Sequence, residues 1–364
     1  MNEPNKNIKP FAMQPDKPEP EGSVEWRSPS NIALIKYWGK QGNQIPMNPS
    51  LSMTLKYAFT QTEVKWHPND GTTQGEFDFF LSGQKVGPKF EKRVGNLINE
   101  MAKAYPVLND LYFTITSLNT FPHSTGIASS ASGLSALALS LLSAAQRATG
   151  KADEYPRFLQ KASHYARLGS GSACRSIYGP YAIWGGGVNT ESSDEYAIPY
   201  KPHQDFETIY DSILIFSEKP KKVGSSAGHK LMDEHFYRQG RINQVRENSF
   251  RLLKALETGD FDVWQEVVEQ EALSLHGLMF ASHEPVLLLE PDTIRFIHDL
   301  NAFRAGKGLK VAFTIDAGPN IHLLYADEHR EIIRNFISEW IMDHHLQIQV
   351  LDDETGKGAK QLFE

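Results

Sequence analysis

The spacing of apolar positions changes several times along the chain, and each change predicts an element. From Val24 to Val64 apolar and polar residues follow a strand-like pattern, interrupted by turns at Gly39–Asn43 and near Pro49. Phe77–Val86 reads as a hairpin around Ser82–Gly83. A helix is predicted from about Pro88 to Ala104, because Phe90, Val94, Leu97 and Ile98 share one face. Leu111–Ser117 follows as a strand. Ser130 to about Ala148 then predicts a buried helix ending near Gly150, Asp153–Arg167 a second helix, and Ala182–Trp184 a strand turning at Gly185–Gly187. In the second half the strand Asp211–Ser217 precedes helices at about Lys230–Leu256, Val263–Leu278, Pro291–Arg304 and Glu328–His344. The strand pair Lys310–Ile315 and Ile321–Tyr325 interrupts them. The fold class is α+β, with glycine- and serine-rich segments between regular elements, where sites are usually built. Residues 1–22 carry Pro4, Pro10, Pro15, Pro18 and Pro20 among polar neighbours and predict a flexible or extended tail.

Composition narrows the function classes. A chain of 364 residues suffices for one large two-lobed domain or two ordinary ones, and 40% apolar with 22% charged residues is globular. The net charge of −7 opposes sequence-independent nucleic-acid binding, although a few cations in a cleft can still hold a polyanion. Cys174 is the only cysteine, which excludes an internal disulfide and suits a reducing cytoplasm. The start of the chain has no apolar run of the signal-peptide kind. Leu111–Gln146 lacks Asp, Glu, Lys and Arg, but its continuous apolar part, Gly133–Ala145, falls short of the roughly 20 residues a membrane span needs.

Five segments could carry chemistry. Pro122–Gly133 (PHSTGIASSASG) lies between a strand and an apolar helix. Small residues and open N–H groups there suit a phosphate, while tight packing is the alternative. In Asn31–Lys40 (NIALIKYWGK), Lys36, Trp38 and Lys40 share a face if the segment is extended, with Tyr37 opposite. They grip an anion or lie solvated on a surface strand. In Leu168–Tyr178 (LGSGSACRSIY), Arg175 can take a carboxylate in bidentate fashion or serve packing, and Cys174 reads as a small core residue. Asp316 stands where a strand enters a Gly-Pro turn, either shaping the turn or presenting a carboxylate to a cationic cleft. Ser225 and Ser226, in KKVGSSAG, are placed to bind a terminal phosphate or to cap a helix. His276, His283 and the His344–His345 pair form no metal-ligand pattern.

Taken in order, Asn31-Ile-Ala…Lys36-Tyr-Trp-Gly-Lys40, Pro122…Gly126-Ile-Ala-Ser-Ser-Ala, Gly169-Ser-Gly-Ser-Ala-Cys-Arg-Ser176 and Asp316-Ala-Gly-Pro-Asn320 resemble the mevalonate diphosphate decarboxylases of the GHMP kinase superfamily. The resemblance runs from about residue 24 to at least 325. It implies a two-lobed GHMP-kinase-like fold with a ribosomal protein S5 domain 2-like first lobe and a deep active-site cleft. The implied division is a tail at 1–22, an ATP-binding lobe at 23–204 and a second lobe at 205–364. It further implies ATP-dependent conversion of mevalonate diphosphate to isopentenyl diphosphate, with Mg²⁺, in a cytoplasmic homodimer without nucleic-acid or membrane partners.

Position by position, Asp316 matches the catalytic aspartate, Lys36 the lysine beside the transferring phosphate, and Arg175 the arginine on the substrate carboxylate. Asn31, Tyr37, Lys40, Ser170, Ser172, Ser225 and Ser226 match substrate-binding positions. Gly126, Ala128, Ser129, Ser130 and Ser132 fall in the ATP loop, Ser130 also beside Mg²⁺. His123-Ser124-Thr125 departs from the Thr-Ala-Ala common in that loop. The stretch Gly75–Val86 also departs from the usual pattern. Decarboxylation of the monophosphate, 3-phosphorylation alone, and a non-catalytic GHMP-type binding protein are the competing readings.

Overall fold

The computed structural model describes residues 17–69, 71, 77–122, 128–217 and 225–363. Two long strands, Gly22–Ile35 and Ser50–Pro68, run antiparallel and organise the molecule. At 14 and 19 residues they far exceed the usual ~5–6, and register shifts at Pro29/Asn31 and Ala33/Ile35 break the regular ladder, as bulges do where strands bend. Thr60–Pro68 pairs with Leu111–Asn119, whereas Ser50–Met53 pairs with Tyr181–Trp184. The same two strands therefore serve two cores. Val24, Trp26, Val64 and Trp66 pack with the helices Pro88–Ala102, Ser129–Thr149 and Tyr155–Gly169. Ile32, Leu34, Leu51 and Met53 pack with Val245, Leu252, Trp264 and Val268 from the helices Arg238–Thr258 and Phe261–Phe280.

The charge-free stretch Leu111–Gln146 forms the strand Leu111–Asn119 and most of the Ser129–Thr149 helix, which is buried along most of its length and closed by Gly150 in the left-handed conformation. Its serines are satisfied by the sheet beneath. Trp26 donates to Ser143 at 3.0 Å, Ser132 shares a 2.7 Å bond with Thr60, and Ser140 donates to the Thr62 carbonyl at 3.2 Å. Buried hydroxyls are tolerated when each finds a partner, and here the polar helix face matches a polar strand face.

A second sheet, in the order Val311–Ile315, Ile321–Ala326, Ile209–Ile215, Gln349–Glu354, is antiparallel throughout. Helices Pro291–Arg304 and Arg330–Asp343 pack with it through Phe296, Leu300, Ile333, Ile337 and Trp340. Among the described residues no helix is long and apolar enough to cross a membrane.

Several sequence expectations change. The helix expected over Lys230–Leu256 is two, Ser225–Lys230 and Arg238–Thr258. His235 donates to the Leu278 carbonyl at 2.8 Å and accepts from the Tyr237 N–H at 3.0 Å, and these bonds pull the intervening residues off a helical path. The pattern missed two C-terminal strands. Gln349–Glu354 is an edge of the second sheet, and Lys360–Phe363 returns to pair with Gly22–Ile35. Within the first of these the Asp353 carboxylate accepts backbone N–H bonds from Lys56 and Ala58, at 2.7 Å each. Residues 17–22, assigned to the tail, are tied down: Glu19 accepts from Arg147 Nε at 2.8 Å, and Gly22 opens the first strand. Residues 1–16 lie outside the described residues, as do all of 72–76, including the start of the Gly75–Val86 stretch, and the 123–127 loop.

Candidate active site

The first sheet ends and the second begins to contribute at a cleft of about 370 Å³. Lys36 follows directly on Gly22–Ile35, and Asp316 directly on Val311–Ile315. Two strand ends from different sheets thus bring residues 280 positions apart to a 2.7 Å ion pair. Lys36 is buried, whereas Asp316 keeps part of its side chain open to the cleft. Burial lowers the proton affinity of Lys36, and Asp316 partly restores it.

Segment 36–39 belongs to no strand, and the alternation expected for an extended KYWGK is not what the cleft shows. Gly39 has φ +90°, a value that L side chains avoid, and the chain turns there. Lys36, Tyr37, Trp38 and Lys40 consequently all line the cleft instead of dividing between two faces. Tyr37 packs edge-on to Trp184 with ring centroids 4.7 Å apart. A Cβ on Gly171 would stand 2.9 Å from both rings, so glycine is required there.

Arg175 lies in the short 3₁₀ turn Gly171–Ile177 and is buried. It donates to Ser50 Oγ at 2.8 Å and to Asn31 Oδ1 at 3.3 Å, and has no carboxylate within ion-pair distance among the described residues. Asn31 is oriented in turn by its donation to Ser176 Oγ at 2.7 Å. Two of the five guanidinium donors are therefore spent on neutral oxygens, and Nε is buried without a hydrogen-bond partner among the described residues. The Tyr37 hydroxyl and the Trp38 indole N–H share that condition. Buried unpaired donors are costly, and here they line a cleft rich in cations.

Lys40, Lys89 and Arg93 give the cleft a positive wall, and Lys40 bonds Gln44 at 3.1 Å. Burial lowers the proton affinity of Lys40, and neighbouring Arg93 and Lys230 lower it further. In the same cleft the Ser129–Thr149 helix begins after Ala128, left-handed with φ 40°, and among the described residues no side chain caps its N-terminus. Ala128 and Ser130 line the cleft there, and Ser129 is half-buried in the first turn. A helix N-terminus facing lysines and arginines fits a polyphosphate. Among the described residues no group of three His, Cys, Asp or Glu could hold a metal ion.

Of the residues singled out in the sequence, Asn31, Lys36, Tyr37, Lys40, Ala128, Ser130, Ser170, Ser172, Arg175 and Asp316 converge on this cleft. Ser132 does not. Two residues on from Ser130 its side chain is buried against the sheet, where its hydroxyl is engaged by Thr60. Gly126 lies outside the described residues. Ser225 and Ser226 open a short helix, and their side chains are likewise outside the description. His283 accompanies Phe236 on the surface, away from these residues.

Sequence reading missed His229, Lys89 and Arg93. The last two stand at i, i+4 on a helix face that resembles any solvated one, so nothing local marks them. His229 packs between Tyr37 and Trp38, accepts from the Gly39 N–H at 3.0 Å, and is pushed down to about 3, chiefly by burial and then by Lys40 and Arg175. It is therefore a neutral imidazole with Nδ1 as acceptor and the proton on Nε2.

Comparison with known proteins agrees on one family. Residues 28–197 match the diphosphomevalonate decarboxylase-like N-terminal domain, and residues 212–361 the mevalonate 5-diphosphate decarboxylase C-terminal domain. A diphosphomevalonate decarboxylase of Saccharomyces cerevisiae is 30% identical over 331 residues, covering 85% of this chain and 79% of the relative. The crystal structure of mevalonate diphosphate decarboxylase from Staphylococcus aureus superposes with TM-score 0.81 at 30% identity, over 94% of this chain and 98% of that one. A complex of MDDEF with MVAPP, AMPPCP and magnesium superposes with TM-score 0.79 at 31% identity, over 94% and 99%.

Proposed function

The chain belongs to the diphosphomevalonate decarboxylase family, and from that premise we propose how its residues divide the ATP-dependent decarboxylation of mevalonate diphosphate to isopentenyl diphosphate. Bound ATP with Mg²⁺ supplies the phosphoryl group that converts the tertiary 3-hydroxyl into a leaving group. Asp316 accepts a hydrogen bond from that hydroxyl and receives its proton. Lys36, 2.7 Å from Asp316, neutralises charge on the transferring phosphoryl group and keeps the carboxylate ionised in a crowd of anions. Arg175 holds the substrate carboxylate with the donors that Asn31 and Ser50 leave over, Nε–H among them. Loss of the phosphate leaves positive charge developing at C3, and departing CO₂ supplies the electrons for the double bond. A carboxylate fixed by Arg175 is aligned for that step.

Lys40, with Tyr37, Ser170 and Ser172, serves the diphosphate end, and Ser225 and Ser226 are assigned there by family position. Lys89 and Arg93 reinforce the positive field. Ala128, Ser129 and Ser130 receive the nucleotide phosphates at the helix N-terminus, with Ser130 nearest the metal. In this division the first lobe, residues 23–204, carries the nucleotide, and the second, 205–364, brings Asp316 to it. A homodimer in the cytoplasm completes the reading, in keeping with the family and the single buried cysteine.

The observation that carries the proposal is the Lys36–Asp316 pair sharing a cleft with an arginine that has no carboxylate partner among the described residues. The test is to supply Mg-ATP with mevalonate, its 5-phosphate or its 5-diphosphate and to follow ADP and CO₂ together. Equal ADP and CO₂ from the diphosphate alone is the expected result. ADP without CO₂ would reduce the activity to 3-phosphorylation, and CO₂ from the monophosphate would change the substrate. Silence with all three would overturn the reading.

A further inference from the structure

We infer that the Phe261–Phe280 helix sets the Lys36–Asp316 pair, with Glu271 as a positioning residue for Lys36. The inference rests on the reading of those two residues as the reacting pair. Lys36 stands just beyond the end of its strand, so the ladder no longer holds its backbone. Side chains do so instead. Its N–H donates to Glu271 Oε2 at 3.0 Å, and its carbonyl accepts from Asn48 Nδ2 at 3.0 Å and from Arg241 at 3.4 Å.

Glu271 is itself immobilised. Its carboxylate accepts from both terminal nitrogens of Arg241, at 2.8 and 2.6 Å, and from Asn248 Nδ2 at 2.8 Å, with all three residues buried. With Lys36 N–H included, both oxygens are shared between two donors each, so the carboxylate has one orientation and the lysine backbone follows it. Five residues along the same helix, His276 Nε2 donates to the Asp316 backbone carbonyl at 3.1 Å. One helix therefore grips both members of the pair, which come from opposite sheets. An Arg–Glu pair that merely joined the Arg238–Thr258 and Phe261–Phe280 helices would have no need of a bond to Lys36.

Glu271 also acts through its charge. The ionisable groups around Lys36 are Asp316 from its loop, Glu271 from this helix, Arg241 from the neighbouring helix and Arg175 from the 3₁₀ turn. Burial lowers the proton affinity of Lys36, Asp316 and Glu271 oppose that, and Arg175 adds to it. Replacing Glu271 by a neutral isostere withdraws one of the two supports. The ammonium form, needed beside the phosphoryl group, is then lost at lower pH.

The experiment compares Glu271→Gln, Glu271→Asp and Lys36→Met in kcat, in KM for both substrates, in the pH dependence of kcat and in folded fraction. Displacing a reacting group by about 1 Å costs on the order of 100-fold, so kcat is expected to fall about 10- to 100-fold in both Glu271 variants with KM little changed. The alkaline limb of kcat should move to lower pH in Glu271→Gln and stay in place in Glu271→Asp, which keeps the charge but shortens the reach. A limb unmoved in folded Glu271→Gln overturns the inference, as does a kcat loss in either variant that only tracks the folded fraction. Should Glu271→Gln fail to fold, Glu271→Asp decides through kcat and KM, and wild-type turnover there overturns the inference. An active Lys36→Met would instead overturn the reading of the pair itself.

Discussion

Two buried polar regions of this molecule are built from similar materials and end in opposite conditions. Beneath the Ser129–Thr149 helix, hydroxyls of Ser132, Ser140 and Ser143 meet Thr60, the Thr62 carbonyl and Trp26. At the cleft, just beyond the first strand and in the neighbouring 3₁₀ turn, the Tyr37 hydroxyl, the Trp38 indole N–H and Arg175 Nε are buried and have no hydrogen-bond partner among the described residues. The first region exchanges water for protein hydrogen bonds and gains a modest net stability. The second forgoes that gain, because its donors are arranged for a ligand that brings its own acceptors. A buried polar group is thus evidence of a site only when its partner is missing and the surrounding charge suits what would arrive.

Breaking the cleft side should have the largest effect. Asp316→Ala removes the proton acceptor and leaves Lys36 without its ion-pair partner. kcat is expected to fall by about 10³-fold, within the range for losing a general base, with ADP and CO₂ abolished together in a coupled assay. Arg175→Gln should cost about 100-fold and act unevenly: CO₂ release should fall further than ADP formation, since the carboxylate loses its clamp while the phosphoryl end does not. Equal losses of both products would show that Arg175 serves binding of the whole substrate.

The satisfied region should respond in stability and not in rate. Ser132→Ala deletes a hydroxyl bonded to Thr60, which keeps its bond to Asn119, so the expected cost is about 1 kcal/mol in urea unfolding, with kcat unchanged. A loss of kcat would return Ser132 to the nucleotide site.

A further effect distinguishes the regions by pH. His229 is pushed down to about 3 in the folded protein, against an ordinary value of 6.5. Between those limits the unfolded chain binds the additional proton. The contribution is therefore complete above pH 6.5 and is lost as pH falls toward 3. His229→Met should give a flatter dependence of unfolding free energy on pH across that window, measured by denaturation at pH 7 and pH 4.5. An unchanged slope would mean that the imidazole is protonated in the fold.

Much of the fold was legible because its elements carry strong local signals. The Ser129–Thr149 helix carries no charge before Arg147 in its last turn, and Phe90, Val94, Leu97 and Ile98 recur at helical spacing. The C-terminal strands were not legible. Gln349–Glu354 (QVLDDE) is polar for a strand, and it is held by pairing with Ile209–Ile215 and by Asp353 binding backbone N–H groups of a distant strand. In the same way KYWGK carried the right residues, but Gly39 and its bond to His229 decided that both faces of the segment would enter the cleft.

By itself the sequence determined the candidate chemistry: Lys36, Arg175 and Asp316, each in a short segment whose residue types suit anions and a proton. Tertiary structure alone decided that Lys36 and Asp316 touch, that Ser132 turns to the core while Ser130 does not, and that Lys89, Arg93 and His229 join the site. The physical reason lies in range. Period, turn chemistry and charge act over a few residues and are written locally. Distance between residues 280 positions apart, and the burial that tunes them, exists only once two sheets have packed.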